Sequence, residues 1–190
     1  MEIFNSIVLA RCLMRILLMV LFGLSMNVTR KIAVGGLMTA LAIIISYIEF
    51  LLPIDLGIPG IKLGLANVVI LFVIFNMSPS EAILINIIRV LVVGSLFGNV
   101  TSTLFALSGA VFSFAIMIAA YKIFKLHIVV VSVLGAVFHI IGQLVAGLFW
   151  YPVTVLMYYS VFLMIAAIVS GIIIGILGSR LNMIYLKNRI

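Results

Sequence analysis

Apolar and polar positions in this chain do not alternate with the period of a half-buried helix or strand. They fall into long apolar blocks separated by short polar punctuation. A helix crosses the hydrocarbon of a bilayer in roughly 20 mostly apolar residues. On that ruler six blocks follow residue 30. They cover about Ala33–Leu52, Leu63–Met77, Pro79–Phe97, Val100–Tyr121, His127–Phe149 and Pro152–Leu177. The second is short and follows a Pro/Gly-rich stretch. No linker between blocks could hold a further domain. The pattern predicts an all-α, polytopic membrane bundle of six helices over residues 26–190, with a broken or short second span.

The first 25 residues read differently. Their apolar run is interrupted by Arg11 and Arg15, leaving only Ile16–Leu24 uninterrupted. A seventh span would bury two arginines at about 2.5–3.5 kcal/mol each. This stretch is expected to be an interfacial helix or an upstream-start extension, with Met26 as a start. No small-residue cleavage site follows Ile16–Leu24, against a signal peptide.

Composition reinforces the class. Of 190 residues, 67% are hydrophobic and 8% charged, where a soluble domain carries roughly 25% charge. That excludes a soluble enzyme and a disordered tail. The net charge of +7 does not point to nucleic acid, because the basic residues cluster between apolar blocks. If the first block starts inside, the inner segments hold Arg30, Lys31, Lys122, Lys125, Arg180, Lys187 and Arg189, and the outer loops hold only Lys62. By the positive-inside rule both termini are then cytoplasmic and the protein is multi-pass in the plasma membrane. Trp150 and Tyr151 fall at the outer boundary, where amphipathic rings are favoured. The single cysteine, Cys12, cannot form an internal disulfide, and no cluster of ligand-type residues predicts a metal or cofactor.

Polar residues inside a span are costly unless they are paired or face a cavity. Ser78-Pro79-Ser80-Glu81 reads as a helix start: Ser78 at the N-cap, Pro79 at N1 and Glu81 closing a capping box. Arg89 lies about 15 Å further along that helix, near mid-membrane, with Asn86 on the same face three residues earlier. It either pairs internally with Glu49 or Asp55, or receives an anionic solute. The run from Pro53 with Asp55, Gly57, Pro59 and Gly60 cannot form a regular helix through Ile61. The outer part of the second crossing is therefore expected to be irregular backbone, a device by which transporters bind substrate. Lys62 and Asn67 flank that break; an ordinary outer loop with a snorkelling lysine is the simpler alternative. In the fifth span Gly135, His139, Gln143 and Ala146 share one face, reading as an interhelical contact or as a polar cavity wall. His127 is expected to face water at the inner boundary. Small-residue pairs at Gly36/Ala40 and Gly171/Gly175, and the row Ser102, Ala106, Gly109 and Ser113, predict close helix packing. For Gly36/Ala40 a partner-docking face is the sharper reading.

The segment beginning Thr29-Arg30-Lys31 and the run Pro59-Gly60-Ile61-Lys62-Leu63-Gly64-Leu65-Ala66-Asn67 resemble the Gx transporter family, also named heptaprenyl diphosphate synthase component I. The resemblance covers about residues 26–190. That family is similar in size and layout to substrate-binding S components of energy-coupling-factor transporters. The likeness implies a six-helix capture subunit that holds a small solute near the outer side. Gly36 and Ala40 would then dock to a coupling subunit driven by paired ATPases.

Together these readings predict a transport subunit, not an enzyme, that captures a small solute, anionic or zwitterionic, at an outward-facing cavity. Its candidate binding residues are Lys62, Asn67, Asn86, Arg89, His139, Gln143 and Glu49. There is no GxxxxGK[ST] motif, so energy must come from a partner. The alternative is an accessory membrane subunit serving a soluble prenyl synthase. A catalytic synthase is excluded, because one aspartate, Asp55, cannot build the aspartate-rich metal site that prenyl transfer needs.

Overall fold

A computed structural model describes residues 28–51, 66–98 and 100–187, and within these the side chains of 28, 30, 49, 50, 186 and 187 lie outside the description. The described residues form six helices and no strand: α1 Val28–Leu51, α2 Asn67–Asn76, α3 Pro79–Phe97, α4 Val100–Lys122, α5 Ile128–Gly147 and α6 Val153–Lys187. Five are long and apolar enough to cross a membrane, and α2 is a shorter apolar helix. The protein is a multi-pass membrane helix bundle.

The local signals act as their chemistry requires. At the start of α3, the Glu81 N–H donates to Ser78 Oγ (3.3 Å) and the Ser78 N–H donates to Glu81 Oε2 (2.9 Å). With Pro79 at N1, this capping box starts α3 at the predicted residue. His127 is exposed, as expected, and also caps α5 by accepting from the Val129 N–H through Nδ1 (3.4 Å).

Two boundaries differ from expectation. Helix α2 starts at Asn67, later than the predicted Leu63, and at ten residues is about 15 Å long. Helix α6 runs to Lys187, well past the predicted Leu177. Ser179 and Arg180 end the apolar block, but no proline or glycine follows to stop the helix. The extra turns stay packed, because Tyr185 is buried edge-on against Phe72 of α2 with ring centroids 5.6 Å apart.

Helix ends gather on two sides. The basic side carries Lys31, Lys122, Lys125 and Arg180; the aromatic side carries Phe149, Trp150 and Tyr151, where Trp150 meets Phe105 edge-on at 5.6 Å. Helices α4, α5 and α6 pack extensively in sequence, and α1 packs chiefly on α3. The short α2 is the core: Ile70, Leu71, Val73 and Ile74 are almost fully buried, among Val34, Met38 and Ala42 of α1 and Ile174 of α6. The shortest helix is thus the most enclosed, which explains a sequence apolar on every face.

Small residues make the close approaches. A methyl group added at Gly171 would lie 2.9 Å from Val133 Cα, and one at Gly175 2.8 Å from Val129 Cα, so α5 and α6 meet backbone to backbone. Gly142 approaches the Ser108 carbonyl in the same way. Serines lock these contacts: Ser108 Oγ donates to the Gly142 carbonyl and Ser132 Oγ to the Gly171 carbonyl, both at 2.8 Å. The packing expected of the Gly171/Gly175 pair is observed. The stripe on α1 is different. Gly36 and Ala40 are exposed, and among the described residues nothing lies within 4 Å of a methyl group placed on Gly35 or Gly36.

Candidate functional site

Helix lengths and ring contacts set the depth of the polar residues. Phe75 of α2 packs on Tyr121 at the basic end of α4, with centroids 4.3 Å apart. From there α2 climbs about 15 Å, so Asn67 sits roughly halfway through a ~30 Å hydrocarbon core. Helix α3 starts just after α2 ends and runs back beside it. Arg89, ten residues beyond Pro79, is therefore near the level of the start of α2. At the aromatic end, the Tyr47 ring of α1 stacks on Phe97 of α3 (centroids 4.7 Å), which brings those two helix ends level.

Arg89 and Asn86 lie together on the inward face of α3. Arg89 is 9% exposed and Asn86 7%, and Arg89 Nη2 donates to Asn86 Oδ1 at 2.8 Å. The geometry follows from helix direction: side chains lean toward the N-terminus, so an arginine reaches back to the residue one turn earlier. Arg89 also takes part in a further interaction. The amide orients the guanidinium but cannot neutralise it, because an amide oxygen carries no net charge.

His139 of α5 stands at the same depth. Its imidazole lies against the backbone of Gly109 on α4, where an added methyl group would fall 2.8 Å from Cε1. Arg89 and His139 are close enough to interact electrostatically. Two helices, α3 and α5, thus bring Asn86, Arg89 and His139 to one level of the bundle. The predicted face of α5 packs toward α4, since Gly135 on it meets Met117 of α4. Gln143, one turn beyond His139, is half-buried. Asn67 opens α2 and is half-buried, and the preceding Ala66 gives no side-chain cap.

Lys62, Asp55, the Pro53–Ile61 stretch, residues 1–25 and the Glu49 side chain lie outside the described residues. One polar group was missed by sequence reasoning. Ser46 of α1 is 6% exposed, and its Oγ makes no hydrogen bond among the described residues. Its signal was spacing: Val34, Met38, Ala42 and Ser46 fall on one inward stripe. Among the described residues, no group of three or more His, Cys, Asp or Glu side chains comes together as a metal site.

A family model described as heptaprenyl diphosphate synthase component I matches residues 38–181. The chain belongs to the heptaprenyl diphosphate synthase component I family. The match runs from the inward stripe of α1 to the basic end of α6, so it takes in every candidate residue except Gly36. No curated protein and no solved structure matches the chain.

Proposed function

We propose that the protein is a transport subunit that captures a small anionic solute within the membrane and passes it on with a separate energising module. The observation that carries the reading is the buried Asn86–Arg89 pair at mid-depth, beside a helix too short to cross. A charge at that depth is expensive and usually functional. Interrupted spans are a common way to build a binding site inside a membrane.

In this mechanism Arg89 attracts the anionic group and Asn86 holds the guanidinium in place. His139, Gln143 and Asn67 supply hydrogen bonds, and Lys62 adds positive potential on the entry side. Glu49 offsets part of that charge between transport cycles. The excess of lysine and arginine on one side supports a reading in which that side faces the cytoplasm of a plasma-membrane protein, with both termini cytoplasmic. The open Gly36/Ala40 face on α1 docks the coupling subunit, whose ATPases supply the energy. The resemblance to S components of energy-coupling-factor transporters motivates this last assignment.

Thermal-shift screening of the purified protein against vitamins, flavins and isoprenoid diphosphates tests the reading, since a ligand that binds only the native state raises its stability. The expected result is a ligand that stabilises the wild type and not Arg89→Ala. Equal stabilisation of both proteins overturns the role of Arg89.

The description of the family supports a second reading, a membrane accessory to prenyl diphosphate synthesis. That reading predicts copurification with a soluble prenyl synthase and a change in its product length. A stable complex with a coupling subunit and no effect on any synthase rejects it.

A further inference from the structure

Many hydroxyl groups among the described residues follow one of two habits. Within a helix, Thr39, Ser95, Ser160 and Ser170 each donate to a carbonyl three or four residues back. Between helices, Ser108 and Ser132 donate to glycine carbonyls of the neighbour. Ser46 does neither: it is 6% exposed and its Oγ has no hydrogen-bond partner among the described residues. Such a group has lost its hydration and received nothing in return.

Its position says what the hydroxyl can meet. Val34, Met38 and Ala42, at the same helical spacing on α1, are in the core cluster that encloses α2. Ser46 is one turn beyond Ala42 on that stripe, so it points into the bundle on the aromatic side of α2. Tyr47 stacks on Phe97, which puts Ser46 near the Leu96 level of α3. Arg89 is seven residues nearer the basic side, a separation of about 10 Å along the helices. At the lower level stand the guanidinium and the first turn of α2, whose backbone N–H groups favour an anion. Above it stands the hydroxyl.

We propose that Ser46 is a binding residue for the outer end of the transported solute. The solute carries a carboxylate or phosphate against Arg89 and the start of α2, and a hydrogen-bonding group about 10 Å away against Ser46. This proposal rests on the transport reading and adds to it the orientation, length and chemical class of the ligand.

The test uses rigid probes of about that length, with the full-length protein in detergent or nanodiscs. 4-Hydroxycinnamate has both ends, cinnamate lacks the hydroxyl, and 4-hydroxycinnamyl alcohol lacks the anion. Wild type is expected to bind 4-hydroxycinnamate about fivefold more tightly than cinnamate, the worth of one hydrogen bond, and the neutral alcohol least. Ser46→Ala removes an unsatisfied hydroxyl, so the unliganded protein should be as stable as wild type or more so. It should bind the two anions equally. Arg89→Gln should bind neither anion, and Arg89→Lys should recover part of the affinity. Retained discrimination in Ser46→Ala overturns the assignment of Ser46 while leaving Arg89 in place. Unchanged anion binding in Arg89→Gln overturns the transport reading itself. Failure of both anions to bind wild type overturns the proposed ligand class and length.

Discussion

The two halves of the bundle are built by different means. Helices α4, α5 and α6 meet through glycines, with backbone against backbone, and serine hydroxyls bridge them to glycine carbonyls. Helices α1, α2 and α3 meet through large apolar side chains gathered on α2, with Asn86, Arg89 and Ser46 buried among them. Lipid tails are as apolar as leucine, so helices in a membrane associate through close contact and hydrogen bonds. The second half uses both to make a tight unit with its polar atoms satisfied. The first half gives up part of that satisfaction, holding a cation at mid-depth and a hydroxyl with no partner among the described residues. A tight half that supports a half with buried polar groups is the arrangement expected of a scaffold and a binding site.

Substitutions can break this contrast. The largest effect is expected from Leu71→Ala in the buried centre of α2, at about 2–5 kcal/mol. Equilibrium denaturation in mixed micelles measures it, and a loss under 1 kcal/mol would mean that α2 is not the core of the first half. Next comes Gly142→Ala, whose added methyl group would meet the Ser108 carbonyl oxygen at 2.7 Å and Gly109 Cα at 2.9 Å. Backbone cannot rotate away as a side chain can, so a cost of about 1–3 kcal/mol is expected, read as a lower melting temperature. Ser78→Ala removes the capping box of α3 and should cost about 1 kcal/mol. A matching loss in Glu81→Ala, with little more in the double variant, would show that the two act as one unit. The smallest effect belongs to Gly36→Leu. Among the described residues nothing lies near that position, so stability should stay within about 0.5 kcal/mol of wild type, while the proposed docking of a coupling subunit predicts that its capture is lost. A large loss of stability would instead place Gly36 in the internal packing.

The spans were legible because length and apolarity alone decide them. The start of α3 was legible to the residue because Ser78, Pro79 and Glu81 each favour a helix start there for a separate reason. The far end of α6 was not, since loss of apolarity marks the end of hydrocarbon and not the end of a helix. Arg89 and Asn86 stood out through charge and three-residue spacing. His139 was visible as a mid-span polar residue, but its seat against Gly109 depends on how α4 and α5 meet. Ser46 was illegible for a plain reason: serine in an apolar helix normally back-bonds to its own turn. Only the assembled bundle shows that this one does not.

The central claim is that Arg89 receives an anionic solute inside the membrane. Native mass spectrometry of the protein purified gently from its own membranes, beside Arg89→Ala prepared identically, tests it most directly. The account predicts a bound small anion on the wild type that is absent from the variant. The same small molecule on both proteins, or none on the wild type, would contradict it.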